Sequence, residues 1–155
     1  MPSRSKPRSS RRFVILAAEF HRPLAEALVQ GASGVLRRHG VAREAIRVLW
    51  VPGAFELPVV AARMAAGRPK PEAIIAVGAL IRGDTIQYEV LAHAVAQGLS
   101  EVAVRARIPV TFGIVVAQTL AQARARAGGR MGNRGAEAAH AALAVLNLFD
   151  RVRHA

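Results

Sequence analysis

Residues 73–85 read AIIAVGALIRGDT, and this stretch decides the fold that the sequence predicts. Its first nine residues, AIIAVGALI, carry no polar side chain. An apolar run of this length is typical of a strand buried on both faces, as in a parallel sheet that helices cover on each side. The polar residues RGDT follow at the predicted strand end, and a helical pattern over residues 85–105 comes next. The stretch therefore predicts a strand, a turn and a helix of an α/β protein.

The rest of the chain also alternates between predicted strands and helices. Further strands are predicted over residues 13–18, 46–51 and 110–117. Further helices are predicted from Pro23 to Gly40 and over residues 56–67, 119–127 and 136–149, with a glycine-rich loop, AGGRMGNRG, at 127–135. This order predicts a three-layer α/β/α fold of flavodoxin-like type, with a four-stranded parallel sheet. We expect one domain over residues 13–150, a disordered basic tail over residues 1–12 and a short C-terminal tail at 151–155.

Two of the predicted helices have a definite inward face. In the first helix Leu24, Leu28, Ala32 and Val35 recur at helical spacing. In the helix over residues 85–105, the residues expected to face the sheet are Val90, Leu91, Ala94, Val95, Leu99 and Val102.

The composition excludes several classes of site. The chain has no cysteine, so disulfides, thiolate chemistry and cysteine-based zinc sites are ruled out. No paired-histidine spacing is present, and we expect no metal. No apolar run reaches the roughly 20 residues of a membrane span, and we expect a cytoplasmic protein.

The formal net charge is +12, and five of the positive residues lie among the first twelve. A basic arm of this kind can neutralise nucleic-acid phosphates. No aromatic residues are interleaved with these charges, and arginine outnumbers lysine by twenty to two. We therefore expect a solubilising tail rather than a nucleic-acid-binding arm.

The turn at RGDT allows two interpretations. Free backbone N–H groups before a helix attract anions, and here Gly83 permits close approach while Thr85 adds a hydroxyl. Alternatively, Asp84 and Gln87 form a capping box, in which Asp84 caps the helix and Gln87 reaches back. Both interpretations stay open at this point.

Ligands of parallel sheets bind beyond the carboxyl ends of the strands, so the residues that follow each strand are candidates. Phe20 and Phe55 lie there and could stack on a heterocycle or simply pack. The glycine-rich loop gathers arginines that suit phosphate or a solvated surface. Phe112 lies inside the fourth predicted strand, which favours a place in the core.

Four motifs in the same order resemble the lumazine synthase (6,7-dimethyl-8-ribityllumazine synthase) family. They are VPGAFELPVVA (51–61), VGALIRGDT (77–85), PVTFGIVVAQTLAQARARAG (109–128) and GNRGAEAAHAALAVLNL (132–148). The resemblance is collinear over residues 13–150. It implies condensation of 5-amino-6-(D-ribitylamino)uracil with 3,4-dihydroxy-2-butanone 4-phosphate in riboflavin biosynthesis, without a metal or redox cofactor. It also implies a homo-oligomer with sites shared between subunits: a pentamer, or twelve pentamers in a 60-subunit icosahedral shell.

The resemblance further implies two sets of substrate-binding residues. Those expected to hold the pyrimidine and its ribityl chain are Phe20, Ala54, Phe55, Glu56, Leu80 and Ile81. Those expected to hold phosphate are Gly83, Asp84, Thr85 and Arg126. Phe112 and Arg126 are expected to reach the site from the adjacent subunit, and Arg134 stands where the family has a lysine.

One position departs from the family pattern. Gln87 stands where the family has the histidine credited with proton transfer, and glutamine is not a general acid or base near pH 7. His21, at the same sheet edge, is a possible substitute. Three hypotheses follow: an active lumazine synthase with a modified proton-transfer site, which we favour; a non-catalytic pterin- or flavin-binding relative; and an oligomeric shell protein whose basic tail holds cargo.

Overall fold

The computed structural model describes residues 10–153, which form a four-stranded parallel sheet with helices on both faces. The strands are β1 (Phe13–Ala18), β2 (Ile46–Val51), β3 (Ala73–Ile81) and β4 (Val110–Ala117), in the order β2-β1-β3-β4. The helices are α1 (Arg22–Arg38), α2 (Leu57–Ala66), α3 (Gln87–Ala106), α4 (Leu120–Ala125) and α5 (Arg134–Arg153). The predicted three-layer, flavodoxin-like fold is confirmed, and so are the bounds of all four strands.

The two faces of the sheet bury different helices because side chains alternate along each strand. In β1, Phe13, Ile15 and Ala17 join a core built with α1 and α5. Val14, Leu16 and Ala18 join the core on the other face, which α2 and α3 cover. The central strand β3 contributes to both cores and is buried along its whole length except at its last residue.

The predicted inward face is confirmed for α1 and only partly for α3. Leu24, Leu28, Ala32 and Val35 are all buried, as predicted. In α3, Val95 and Leu99 are buried, but Val90 is 57% exposed and Ala94 is also exposed. The prediction was wrong for these two because Tyr88 turns inward. With about 100° of rotation per residue, a stripe through Tyr88, Val95 and Leu99 places Val90 and Ala94 on the opposite side.

The glycine-rich segment is ordered as a hairpin rather than as the predicted loop. Two short antiparallel strands, β5 (Ala127–Gly129) and β6 (Gly132–Asn133), pair with each other. Gly128 and Gly132 supply the positive φ angles, 96° and 89°, that this tight reversal requires. The hairpin ends where α5 begins, two residues earlier than the sequence predicts.

Asn133 and Gly135 fasten the start of α5 to α1. The Asn133 side-chain amide donates to the carbonyl oxygen of Ala27 at 3.0 Å, and its Oδ1 accepts from the N–H of Ala136 at 3.0 Å. Gly135 lies so close to α1 that a Cβ there would overlap the carbonyl oxygen of Leu28. In the GNRG motif, Asn133 and Gly135 therefore serve to pack α5 against α1.

The two ends of the domain meet through a charge pair. Arg11 is only 6% exposed and forms an ion pair with Asp150 of α5, which continues to Arg153. The disordered tail predicted for residues 1–12 falls mostly on residues outside the described range, as does the end of the predicted C-terminal tail. Within the described residues, no helix is both long and apolar enough to cross a membrane.

We predict that Gly135→Ala lowers the free energy of unfolding by about 2–3 kcal/mol, because the added Cβ must push α5 away from the α1 backbone. Gly34→Ala is the matched control in α1. Its Cβ would meet only the mobile end of Arg38, at 3.2 Å. We expect this control to stabilise by about 0.5–1 kcal/mol through helix propensity. Chemical denaturation measures both. Equal effects of the two substitutions would contradict the close packing of α1 and α5.

Candidate active site

The turns that follow β1, β2 and β3 converge on a cavity of about 530 Å³ at the carboxyl edge of the sheet. This volume lies within the range of small-molecule sites. The cavity is lined by Phe20, Gly53, Ala54, Phe55, Glu56, Ala79, Leu80, Ile81, Gly83, Thr85, Gln87, Tyr88 and Leu91. All of these come from strand ends, from the turns after them or from the first turns of α3. The candidate site is thus built where a parallel sheet places its ligands.

The structure brings most, but not all, of the predicted site residues to this cavity. The predicted residues that line it are Phe20, Ala54, Phe55, Glu56, Leu80, Ile81, Gly83, Thr85 and Gln87. Those that do not line it are His21, Asp84, Phe112, Arg126 and Arg134. Sequence reasoning missed Ala79, Tyr88 and Leu91. Leu91 lies four residues after Gln87, so helical spacing from Gln87 was a signal that could have found it.

Two aromatic side chains stand at the mouth of the cavity. Phe20 is 67% exposed and Phe55 is 62% exposed, although both are large apolar residues. Exposed rings beside an apolar cavity can cover the faces of a flat heterocycle. This arrangement favours stacking over the alternative of ordinary packing.

His21 adopts a left-handed backbone conformation, with φ 58° and ψ 52°, at the start of α1. Its carbonyl oxygen accepts hydrogen bonds from the N–H groups of Leu24 and Ala25, at 3.0 and 3.2 Å. Its ring meets Phe20 edge-on, with 4.9 Å between ring centroids. Because His21 is outside the cavity wall, its link to the cavity runs through Phe20.

The capping box predicted for Asp84 and Gln87 is wrong. The helix α3 begins at Gln87 itself, and its N-cap, Ile86, makes no side-chain capping bond. The N–H of Gln87 donates instead to Oγ1 of Thr85, at 3.3 Å. The first turn of α3 thus starts too late for Asp84 to cap it.

A capping box does occur at α4. There the N–H of Gln122 donates to Oγ1 of Thr119 at 3.1 Å, and the Gln122 side chain accepts from the N–H of Thr119 at 3.3 Å. Side chains therefore accept hydrogen bonds from the backbone N–H groups at the start of α4, whereas the N-cap of α3 provides no side-chain acceptor. A helix start of this kind can interact favourably with an anion.

Tyr88 is the largest side chain that sequence reasoning missed. It is buried in the core on the α2–α3 face and also lines the cavity. Its hydroxyl donates a hydrogen bond to Oε1 of Glu89 at 3.0 Å. That bond, together with burial, raises the pKa of Tyr88 above its ordinary value, against an opposing effect of Arg82. Tyr88 is therefore protonated at neutral pH.

Arg126 belongs to a second cavity, of about 590 Å³, formed by the end of β4, by α4 and by the residues that follow α4. Its wall is formed by Val116, Ala117, Ala121, Gln122, Ala125, Arg126, Arg130 and Met131. In contrast, no lysine or arginine of residues 10–153 lines the first cavity. Arg126 is therefore separated within one chain from Gly83 and Thr85, the predicted phosphate-binding residues that line the first cavity.

Phe112 and Arg134 also lie away from the first cavity. Phe112 is 37% exposed on β4, so its predicted place in the core is wrong. The reason is that β4 is an edge strand of the sheet, which leaves this side chain incompletely covered. Arg134 forms an exposed ion pair with Glu137 at 2.8 Å. Across residues 10–153, the structure contains no cluster of three or more His, Asp or Glu side chains that could hold a metal.

Comparison with known proteins identifies the family. The model of the 6,7-dimethyl-8-ribityllumazine synthase family matches residues 10–150. The chain belongs to this family. It is 50% identical over 141 residues to the 6,7-dimethyl-8-ribityllumazine synthase of Gemmatimonas aurantiaca, covering 91% of this chain and 85% of that protein. The synthase of Aquifex aeolicus is 42% identical over 142 residues, 92% of each chain. That of Leuconostoc mesenteroides is 36% identical over 145 residues, covering 94% of this chain and 92% of the relative.

Membership of the lumazine synthase family confirms the resemblance carried by the four motifs. The chain is therefore an enzyme of the transferase class, and its family supports a role in riboflavin biosynthesis. Lumazine synthases act on small molecules and assemble into oligomers. The fold brings two of the four motifs, those at 51–61 and 77–85, to the wall of one cavity.

We predict that His21→Gly raises the free energy of unfolding by about 0.5–1 kcal/mol, because glycine adopts φ 58° without the strain of a Cβ. Arg107→Gly is the matched comparison, since Arg107 has φ 57° at the end of α3, away from the cavity. Thermal or chemical denaturation measures both. A lower free energy of unfolding for His21→Gly, beside a higher one for Arg107→Gly, would contradict this prediction. The contacts of the His21 ring would then stabilise the fold by more than its backbone strain destabilises it.

Proposed function

We propose that this chain is a 6,7-dimethyl-8-ribityllumazine synthase that condenses 5-amino-6-(D-ribitylamino)uracil with 3,4-dihydroxy-2-butanone 4-phosphate. One observation carries the proposal: residues from separate family motifs line a single cavity at the carboxyl edge of the sheet. It is supported by the match of the family model over residues 10–150. We place the enzyme in the cytoplasm and expect it to need no metal or redox cofactor.

In this proposal the uracil ring stacks on Phe20, and the backbone of Leu80 and Ile81 reads its polar edge. Phe55 closes the other side of the mouth. Glu56, at the end of the turn after β2, accepts hydrogen bonds from the ribityl hydroxyls. Gly53 leaves room for that carboxylate, since a Cβ there would lie 3.0 Å from Oε2 of Glu56.

The phosphate of the second substrate binds at the turn after β3. Gly83, Asp84 and Thr85 supply backbone N–H groups and a hydroxyl next to the start of α3. The first cavity has no cation of its own among the described residues. We therefore assign the neutralising charge to Arg126 of a second subunit, with Phe112 and Arg134 contributed at the same interface. The assembly is a pentamer, with a 60-subunit shell as the larger alternative.

Orientation of the two substrates and stabilisation of the leaving phosphate provide most of the rate acceleration. The substrate amine and ketone form an imine, phosphate leaves, and the ring closes with loss of water. Gln87 lines the cavity, where its amide can hold a substrate by hydrogen bonds. His21 supports the stacking ring Phe20 by its edge-on contact.

Gln87 also favours a second candidate, a relative that binds pterins or flavins without catalysis. A turnover assay with purified protein separates the two. The synthase forms lumazine faster than the uncatalysed condensation of the same substrates. The binding relative holds lumazine tightly and leaves the rate at the uncatalysed value.

We predict that Arg126→Ala lowers kcat/KM for lumazine formation by on the order of 10²–10³-fold, because the leaving phosphate loses its cation. Arg124→Ala is the matched control, an exposed arginine of α4 that does not line the second cavity. Its kcat/KM should stay within about twofold of the wild type, since surface charges contribute little. A similar loss in both variants would show a general charge effect and contradict the assignment of Arg126.

A shared site predicts complementation between inactive variants. Phe20→Ala/Phe55→Ala removes both exposed rings from the first cavity, and Arg126→Ala alters only the second. Co-assembly of equal amounts should restore about a quarter of the sites, those that combine an intact cavity with an intact Arg126 across a head-to-tail interface. Activity that stays at the mean of the two separate variants would contradict a site formed between subunits.

A further inference from the structure

The cavity wall contains few groups that can exchange a proton. Gln87 does not titrate near neutral pH, and the other wall residues are mostly apolar or glycine. Among the residues lining the first cavity, only Glu56 and Tyr88 carry ionisable side chains. The carboxylate of Glu56 lies in the turn after β2, where the proposed function assigns it to the ribityl chain. Tyr88 is then the ionisable residue of the cavity wall to which the proposed function assigns no role.

Tyr88 connects the cavity to a carboxylate. Tyr88 lines the wall, and its hydroxyl donates a hydrogen bond to Oε1 of Glu89 at 3.0 Å. Glu89 is exposed, and its backbone N–H is held by the carbonyl oxygen of Ile86 at 3.0 Å in the first turn of α3. A phenol hydrogen-bonded to a carboxylate can take a proton on its oxygen as it passes its own proton on. The pair therefore has the chemistry of a relay between cavity and solvent.

The other charged groups around the pair are few. Arg82, in the turn before α3, acts on Tyr88 electrostatically. Glu56 shares the cavity wall, and His93 lies one helical turn after Glu89 on the exposed side of α3. Within residues 10–153, Glu89 is the charged side chain that is hydrogen-bonded to Tyr88.

We propose that Tyr88 and Glu89 together perform the proton transfer that Gln87 cannot, in the reaction assigned under the proposed function, on which this inference rests. Tyr88 is the catalytic residue that meets the substrate, and Glu89 is the base behind it. This arrangement places proton transfer one residue further along α3 than the family's histidine position.

Imine formation moves two protons from the amine nitrogen to the departing oxygen. The amine nitrogen attacks the ketone carbon, a C–N bond forms, and the carbonyl π pair moves to oxygen. An N–H proton passes to the Tyr88 oxygen while the Tyr88 proton passes to Glu89, and the reverse transfer delivers a proton to the alkoxide oxygen, which becomes a hydroxyl. When the second N–H proton has followed, the C–O bond breaks, water leaves and C=N remains. Tyr88 and Glu89 end in their starting states.

The first test compares Tyr88→Phe and Glu89→Gln with the wild-type protein in steady-state lumazine formation. Each substitution should lower kcat by on the order of 10²-fold, the usual contribution of general acid–base catalysis, with KM changed less than about threefold. Glu101→Gln, a carboxylate further along α3 and outside the first cavity, is the matched control.

The second test repeats Tyr88→Phe in a Gln87→His background. A histidine at this position supplies its own acid–base group, so Tyr88→Phe should then cost less than about threefold in kcat, far from additive. A positional role for Tyr88 in packing would give the same loss in both backgrounds.

Because Tyr88 is the only tyrosine in the chain, ultraviolet titration reports its ionisation directly. Glu89→Gln should shift that ionisation to lower pH, since the neutral amide no longer disfavours the phenolate.

The outcomes are separable. A wild-type protein without turnover overturns the proposed function and this inference with it. An active wild type whose Tyr88→Phe variant keeps kcat within twofold overturns the relay alone. The relay is also overturned if Tyr88→Phe raises KM and leaves kcat unchanged. The same holds if Tyr88→Phe lowers kcat by the same factor with and without Gln87→His.

Discussion

The rest of the molecule depends on the burial of β3 on both faces. A strand without a polar side chain must be covered above and below, and that requirement sets helices on both sides of the sheet. With β1 and β4 paired parallel to it, the carboxyl ends of the strands meet at one edge. The polar residues available to a ligand there come from the turns and from the start of α3. The apolar run at 73–81 and the site at RGDT are thus two consequences of one constraint.

The sheet could be predicted from the sequence because each strand is a short apolar run with clear limits. The same reasoning failed at the first turns of α3. Apolar residues surround that helix on several sides, so Val90 and Val95 look alike in the sequence although only Val95 is buried. The inward turn of Tyr88, which fixes the rotation of the helix, depends on packing against the second core. Contacts of this kind are not encoded in spacing alone.

The site was predicted in part for a related reason. Turn residues after parallel strands could be assigned from the sequence, since the fold brings them to one edge. Arg126 and Phe112 were assigned by family resemblance, and within one chain they lie apart from the cavity. This separation is what a site formed between subunits requires, since no arginine of the described chain reaches the first cavity. Gln87, for which the sequence also allowed a capping role, lines the cavity next to the Tyr88–Glu89 pair. That pair is a chemical substitute for the histidine that the family has at position 87.

The central claim is that the cavity at the carboxyl edge is the reaction site and that a second subunit completes it. A crystal structure of the assembled protein with 6,7-dimethyl-8-ribityllumazine and inorganic phosphate tests it most directly. The account predicts the heterocycle stacked on Phe20 and the phosphate at Gly83 and Thr85, within hydrogen-bond distance of an Arg126 from the neighbouring subunit. Lumazine bound in another cavity, or phosphate held by residues of one chain alone, would contradict it.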